Sequence, residues 1–316
     1  MPGGESRPVA HAVTRRETLM NSTDLKAFWE IVRQELDEVP IDAEAELVEP
    51  EPVPLTRTSR LTLTGLGGVK FRAMLTLPSV GADAGPLPVA VFTPGYGGDT
   101  AHAALVGLCY DKRLALLTVY PRGQGESKQY WQVPDGLTKL TTGLDDPGNH
   151  YYRAAYADCM RGIDYICTRE EIDPDRIGVI GMSQGGGLTL ATASLDPRVK
   201  CAVAHEPFLC NYPVAVETAT TGPYLELINH FEANPGSRDQ ALDTLAWFDP
   251  LNLAQFITCP TFISIGLADT TCPPETIRPV FERISAFKGL IEVPDAGHAW
   301  AYLFRDFDDL WLKRYL

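Results

Sequence analysis

The sequence lacks an excess of basic residues and any long apolar run. Its 27 Lys and Arg residues stand against 41 Asp and Glu, which gives a formal net charge of -14. Nucleic acids and anionic membranes bind basic patches, so this charge argues against both as partners. Residues 1–23 contain no apolar stretch typical of a signal peptide, and no later run is long enough to span a bilayer. We therefore expect a cytoplasmic protein.

The sequence also lacks the paired cysteines of a zinc site or a disulfide framework. It has 7 cysteines, an odd number, and no two of them are spaced as CxxC. Cys159 and Cys167 lie within an apolar pattern of helical period, where a thiol belongs to the core. In a chain of 316 residues the cysteines therefore indicate buried thiols, and we predict no metal site.

The first part of the chain predicts an amphipathic helix, an acidic and proline-rich extended arm, and two antiparallel strands. In chain order these elements lie at 24–39, 44–54, 59–63 and 70–77. The helix carries one apolar stripe, and the strands alternate apolar and polar residues around a glycine-rich turn. We expect residues 1–23 to be flexible and residues 24–316 to form a single domain.

From residue 88 onward, short apolar runs alternate with amphipathic ones. The predicted strands are 89–93, 114–119, 176–180, 199–204, 261–265 and 289–293, and the predicted helices are 152–166, 185–195 and 301–316. This alternation predicts an α/β fold, with a mostly parallel twisted sheet covered by helices on both faces. Residues 207–253, after the sixth predicted strand, exceed a normal connection and contain helical patterns. We expect this insertion to form a lid or a pocket.

The most specific motif is Gly181-Met182-Ser183-Gln184-Gly185, which directly follows a predicted strand and opens a helix of small residues. A serine on such a sharp turn has its hydroxyl exposed at the carboxyl edge of the sheet. Glycines two positions before and after it are required because a Cβ there would clash. A glycine-rich turn can also serve only to pack a helix on a sheet. The flanking elements favour Ser183 as a nucleophile of the α/β-hydrolase type.

A serine nucleophile needs a base and an acid that orients the base. His298 lies in a short loop after the last predicted strand, where the chain order serine, acid, histidine places the base. Asp269 follows the strand 261–265 and is the predicted acid, although an aspartate there could also be a plain helix cap. Asp295 is the rival acid, but it shares the loop of the histidine.

An ester hydrolase also needs donors for the oxyanion of the tetrahedral intermediate. The Gln184 N–H, at the start of the helix behind the serine, is one candidate. The Tyr96 N–H is the other, in the glycine-rich loop 94–98 that follows the strand 89–93. The Tyr96 ring could in addition form the wall of a small acyl pocket. Taken alone, loop 94–98 could be only a glycine turn.

At this point the sequence resembles the acetyl xylan esterase and cephalosporin C deacetylase family, carbohydrate esterase family 7, of the α/β-hydrolase superfamily. The resemblance covers about residues 24–316. The matching segments are 122–125 (Arg-Gly-Gln-Gly), 151–158, 172–179, 183–186 (Ser-Gln-Gly-Gly), 207–209, 224–226, 247–249 and 264–269.

The resemblance implies removal of acetyl groups through an acetyl-enzyme, with Ser183 as nucleophile, His298 as base and Asp269 as its orienting acid. Tyr96 and Gln184 would form the oxyanion hole. The resemblance assigns Arg122 and Gln124 a bracing role around the serine. It also implies no cofactor, a hexameric cytoplasmic enzyme, and small substrates such as acetylated xylo-oligosaccharides or cephalosporin C. Three positions depart from the family pattern: Pro94, Met182 and Ala299.

Other functions fit the same residues. A triad of this kind also serves hydrolases of other short-chain esters, lactones, thioesters and peptides, because function is grafted onto folds. A peptidase of this type normally carries a large extra domain, for which 316 residues leave little room. A hydrolase fold without catalysis, acting as a binding protein, is the alternative from another class. The complete triad argues against it.

Overall fold

The computed structural model describes residues 19–49, 55–79, 85–98, 113–298 and 305–316. Within these ranges nine strands form one sheet, and they are numbered here in chain order. They are β1 (Glu44–Leu47), β2 (Thr56–Thr64), β3 (Lys70–Pro78), β4 (Leu87–Thr93), β5 (Ala115–Tyr120), β6 (Ile172–Met182), β7 (Val199–His205), β8 (Thr261–Gly266) and β9 (Lys288–Val293). Their spatial order is β1-β2-β3-β5-β4-β6-β7-β8-β9.

Along the chain, the helices of the described ranges lie before, between and after the strands of the sheet. They are α1 (Ser22–Asp37), α2 (Tyr151–Ile166), α3 (Gln184–Leu195), α4 (Tyr212–Thr218), α5 (Tyr224–Ala233), α6 (Arg238–Leu245), α7 (Pro250–Leu253), α8 (Pro274–Arg283) and α9 (Arg305–Tyr315). None of these helices has the length and apolar character needed to cross a membrane.

The sheet is antiparallel at one end and parallel over the rest. Strands β1, β2, β3 and β5 pair antiparallel with one another in that order, and β5, β4, β6, β7, β8 and β9 pair parallel. Every residue of β5 and of β8 is buried, as expected for strands covered on both faces. Neighbouring residues of β4 enter two separate apolar clusters, one on each side of the sheet. The predicted α/β architecture is confirmed.

The extended arm predicted at 44–54 contains a strand that the sequence analysis did not count. Residues Glu44–Leu47 pair with β2, and all four side chains are exposed. The insertion 207–253 therefore follows the seventh strand of the sheet and not the sixth. At the N-terminus, α1 begins at Ser22, and the Asn21 side chain accepts a hydrogen bond from the Thr23 N–H at 2.9 Å.

Some predictions fall on residues outside the described ranges. These are most of the segment 1–23, the second half of the arm, the start of the last helix at 301–304, Cys109 and Ala299. The six cysteines within the described part of the chain are free thiols. Five of them are buried and Cys167 is half-buried.

A buried carboxylate near the end of the insertion 207–253 forms hydrogen bonds with both ends of this insertion. Asp249 accepts hydrogen bonds from the backbone N–H groups of Asn211 at 2.8 Å and Tyr212 at 2.9 Å, where α4 begins. It also accepts from the Leu251 N–H at 2.8 Å, at the start of α7. The two ends of the insertion are thus joined through one side chain, beside the strand β7 that leads into it.

Candidate active site

The turn between β6 and α3 presents Ser183 in a strained backbone conformation. Its φ is 56°, a region that residues with a Cβ seldom adopt. A Cβ on Gly181 would lie 2.4 Å from the carbonyl carbon of Gly185, and a Cβ on Gly185 would lie 2.1 Å from the Thr93 oxygen. Both distances are far below van der Waals contact. The two glycines around the serine are therefore sterically required, as the motif predicts.

A histidine and an aspartate line up with the serine hydroxyl. Ser183 Oγ lies 3.0 Å from His298 Nε2, and His298 Nδ1 lies 2.8 Å from Asp269 Oδ2. With the proton on Nδ1, the ring donates to Asp269 and its Nε2 accepts from the serine. The other carboxylate oxygen of Asp269 accepts the N–H groups of Thr271 at 2.8 Å and Cys272 at 2.9 Å, which fixes its orientation. The structure thus brings the three predicted residues together.

The environment of His298 makes its ring a stronger base. Burial lowers the pKa of the imidazole, but the hydrogen bond and charge of Asp269 raise it, and so does the charge of Glu206. The net result is a pKa above the ordinary value of 6.5. The rival acid Asp295 is exposed, and the hydrogen bond of the ring is made to Asp269.

Glu206 is a site residue that the sequence analysis missed. It directly follows β7, its side chain is fully buried, and its Oε2 lies 3.3 Å from His298 Nδ1. Its φ of 44° is unusual for a residue other than glycine. The sequence did contain a signal: an acidic residue at the carboxyl end of a buried strand, next to the strand that leads to Ser183.

The groups around the histidine come from neighbouring strands of the sheet. Ser183 follows β6, Glu206 follows β7, Asp269 follows β8 and His298 follows β9, and these four strands are adjacent in that order. All four are parallel, so their carboxyl ends lie at one edge. The topology therefore explains why residues distant in sequence meet here.

The loop predicted to carry an oxyanion donor lies against the serine turn. A Cβ on Gly95 would come within 4.0 Å of Ser183 Cβ. The amide of Gln124 donates to the carbonyls of Gly95 at 3.2 Å and Tyr96 at 3.1 Å. The amide of Gln184 donates in turn to Gln124 Oε1 at 2.8 Å. Two side-chain amides thus connect this loop to the start of α3.

The Tyr96 ring connects the same loop to the insertion. Its hydroxyl donates to Glu226 of α5, and its ring meets Phe208 edge-on with 5.9 Å between centroids. Lys139 Nζ lies 4.0 Å from the ring centroid and donates to the Tyr96 carbonyl at 2.7 Å. Burial, together with the bond to Glu226, raises the pKa of the phenol. The Tyr96 phenol is therefore neutral, and contacts with Glu226, Phe208 and Lys139 hold its ring in place.

The side chain of Arg122 contacts other parts of the protein than the side chain of Gln124 does. It is buried against Asp158 of α2, with 2.7 Å from Nη2 to the carboxylate, and it also donates to the Leu66 carbonyl at 3.0 Å. The hydroxyl of Tyr151 donates to the Arg122 carbonyl at 2.8 Å. These partners lie on the hairpin turn and on α2. Of the two predicted bracing residues, Gln124 is the one whose side chain bonds to the loop beside the serine.

Comparison with known proteins gives this site its context. The family model described as acetyl xylan esterase matches residues 9–314, almost the whole chain. The chain belongs to the acetyl xylan esterase family. A solved acetyl xylan esterase from Paenibacillus sp. R4 is 32% identical, with a TM-score of 0.87 over 94% of this chain and 96% of that one. Acetyl Xylan Esterase 1 from Thermoanaerobacterium sp. JW/SL YS485 is 26% identical, with a TM-score of 0.81 over 92% and 93%.

A curated relative agrees with the structural neighbours. The acetyl esterase Axe7A of Xylanibacter ruminicola is 29% identical over 304 residues, which are 93% of this chain and 67% of that protein. This member of the acetyl xylan esterase family is therefore a carboxylic ester hydrolase with the α/β-hydrolase fold.

Two of the three departures from the family pattern can be placed in this esterase. Met182 is the last residue of β6 and pairs with His205 of β7, so it continues the sheet up to the serine. Pro94 is buried, and its carbonyl is 3.5 Å from the amide of Gln184. Met182 therefore belongs to the strand that leads to the serine turn, and Pro94 belongs to the loop 94–98 that lies against this turn.

One group of residues in the described part of this esterase could supply three ligands to a metal ion. Asp269, Cys272 and His298 bring potential ligand atoms within 4.8 Å of one another. A metal would need the thiolate of Cys272, but burial raises the pKa of that thiol well above its ordinary value. The Nδ1 atom of His298 is already hydrogen-bonded to Asp269. This donor set fits an acid–base pair better than a metal site.

Proposed function

We propose that this esterase removes acetyl and other short acyl groups from small esters, such as acetylated xylo-oligosaccharides or cephalosporin C. Ser183 is the nucleophile, His298 the general base and Asp269 the acid that orients the ring. One observation carries the assignment: a strained serine whose Oγ is 3.0 Å from a histidine that is itself bonded to a buried aspartate at 2.8 Å. Membership of the acetyl xylan esterase family supports the choice of acyl group.

The proposed reaction has two steps that use the same groups. His298 Nε2 takes the proton of Ser183 as Oγ bonds to the ester carbonyl carbon. The N–H groups of Gln184 and Tyr96 stabilise the oxyanion that forms. The C–O bond then breaks, and the histidine gives its proton to the departing alcohol. Water repeats the sequence on the acyl-enzyme and releases the carboxylic acid.

A preference for short acyl groups is supported by the residues beside the serine. The Tyr96 ring is fixed by Lys139 and Glu226, and Phe208 stands against it. Phe208 also donates its N–H to the Ser183 carbonyl at 2.9 Å. We propose that these rings, with the insertion 207–253, bound a small acyl pocket within a single domain formed by residues 24–316.

The cellular setting is proposed from the same family. We propose a cytoplasmic homo-oligomer, with a hexamer as the expected assembly. Free thiols in the described part of the chain are typical of reducing compartments. Light scattering coupled to size-exclusion chromatography measures the assembly, and a monomeric mass contradicts it.

The test of the function is hydrolysis of p-nitrophenyl acetate by the wild type and by Ser183→Ala. Loss of a triad member costs on the order of 10⁴-fold or more, so the variant should fall to background. Longer acyl esters, an anilide, a lactone and a thioester tested alongside discriminate the other hydrolase classes. Equal and negligible rates, with no covalent labelling of Ser183 by a fluorophosphonate, would instead favour a binding protein.

A further inference from the structure

The His298 ring faces two buried carboxylates and not one. Its Nδ1 is 2.8 Å from Asp269 Oδ2 and 3.3 Å from Glu206 Oε2. Asp269 comes from the loop after β8, whereas Glu206 comes from the end of β7. The ring nitrogen therefore faces two carboxylates that come from different strands, and its hydrogen bond is made to Asp269.

The backbone around Glu206 is built to hold its side chain in this place. Its N–H donates to the Ser264 carbonyl of β8 at 2.8 Å, so the residue is still tied to the sheet. Its positive φ turns the chain immediately afterwards, and Pro207 follows. A Cβ on Gly186 of α3 would lie 2.8 Å from the His205 oxygen, so α3 packs closely against this segment. Strain of this kind persists where the surrounding structure enforces it.

The free energy of burial also distinguishes the Glu206 carboxylate from an apolar core residue. A fully buried negative charge is unfavourable unless a charged or hydrogen-bonding group compensates it. The imidazole of His298 becomes positively charged while it holds the serine proton. Glu206 is 3.3 Å from the nitrogen that shares this charge, so the carboxylate attracts the protonated ring during the reaction.

We propose that Glu206 is a second acceptor for the Nδ1–H of His298 and positions the ring together with Asp269. The inference rests on the proposed function, in which His298 is the base. Glu206 then has two effects: it stabilises the protonated ring, and it keeps the proton on Nδ1 if the bond to Asp269 is lost.

The first test is an NMR titration of His298 that does not depend on catalysis. The groups that face the ring are Asp269 and Cys272 from the loop after β8, Glu206 from β7, and the Ser183 hydroxyl. Replacing Glu206 with Gln removes one negative charge at nearly constant shape. We expect the pKa of His298 to fall by about one unit, because a close opposite charge favours the protonated ring.

Two variants serve as controls for this titration. Glu292→Gln makes the same substitution at an exposed position of β9 and should leave the pKa of His298 unchanged. Glu206→Asp keeps the charge and should give a pKa closer to wild type than Glu206→Gln does. A His298→Gln sample assigns the signal, and thermal melts confirm that each variant is folded. An unchanged pKa in folded Glu206→Gln overturns the proposal.

The second test is a double-mutant cycle on kcat/KM. Where one acid orients the histidine, replacing Asp with Asn costs about 10⁴-fold. With Glu206 as a second acceptor, Asp269→Asn should cost only about 10²-fold, and adding Glu206→Gln should bring the loss to roughly 10⁴-fold. A full loss in Asp269→Asn that Glu206→Gln does not deepen contradicts a second acceptor.

The two tests separate this inference from the proposed function. A wild type without esterase activity in which Glu206→Gln still lowers the pKa of His298 refutes the function and supports the contact. An active wild type in which neither the pKa nor the cycle responds to Glu206→Gln refutes the role of Glu206 alone.

Discussion

At the scale of single residues, the position of Ser183 depends on a neighbouring glycine that has no Cβ atom. The serine itself has a φ of 56°, and the turn closes only because Gly185 has no Cβ to meet the Thr93 oxygen at 2.1 Å. The strained conformation of Ser183 is thus maintained by close packing between β4, β6 and α3. Small changes of volume at this turn should have large effects on the reaction.

We expect Gly185→Ala to abolish labelling of Ser183 by a fluorophosphonate and to lower the free energy of unfolding by about 3 kcal/mol. The added methyl group forces backbone apart in a close-packed turn, which is a case of overpacking. Gly236→Ala is the matched control, since a Cβ there meets nothing within 4 Å. Urea titration and labelling measure both variants, and normal labelling of Gly185→Ala would show that the turn can relax.

The proposed base, His298, should determine the acid side of the pH profile. In the proposed mechanism it acts in its neutral form, and its pKa lies above 6.5 because Asp269 and Glu206 outweigh the effect of burial. As pH falls through this raised pKa the ring takes up a proton, so kcat/KM should fall about tenfold per pH unit below it. A profile of kcat/KM for p-nitrophenyl acetate between pH 5 and 9 would show the pH at which this fall begins. A midpoint at or below about 6 contradicts the raised pKa.

At the scale of elements, the insertion between β7 and β8 is closed by one carboxylate. We expect Asp249→Ala to lower the free energy of unfolding by about 3 kcal/mol, because three buried N–H groups lose their acceptor. The insertion should also open, so the preference for short acyl groups should weaken. Asp243→Ala, on an exposed position of α6, is the control and should change stability by less than about 0.5 kcal/mol. A stable Asp249→Ala with unchanged acyl preference would show that packing alone closes the insertion.

The same scale shows what the sequence could predict. Strands β5 and β8 were predictable because strands buried on both faces are continuous apolar runs. The strand β1 was not, since its four side chains are all exposed and its pairing depends only on backbone hydrogen bonds. Ser183 was predictable from its glycine motif, and Asp269 and His298 from the chain order serine, acid, histidine. Glu206 was not predicted: its place after a buried strand was visible in the sequence, but its contact with the histidine depends on a left-handed turn that no local pattern indicates.

At the scale of the whole molecule, the dominant feature is the net charge of -14. A negative potential around the protein slows the approach of anionic esters and speeds that of cationic ones, and salt screens it. Between about 10 and 150 mM NaCl we expect kcat/KM to rise roughly threefold for an anionic acetate ester. The rate should stay constant for neutral p-nitrophenyl acetate and fall for a cationic ester. Equal responses of all three substrates would mean that the field at the site does not follow the net charge.

The placement of the four site groups on successive strands has a kinetic consequence. The bond between His298 and Ser183 joins residues 115 positions apart, and it exists only when β6 to β9 have aligned. Pairing of strands so distant in sequence is slow, because loop closure precedes any gain from contact. After dilution from denaturant, secondary structure should therefore return before hydrolysis does. Recovered activity then reports completion of the sheet.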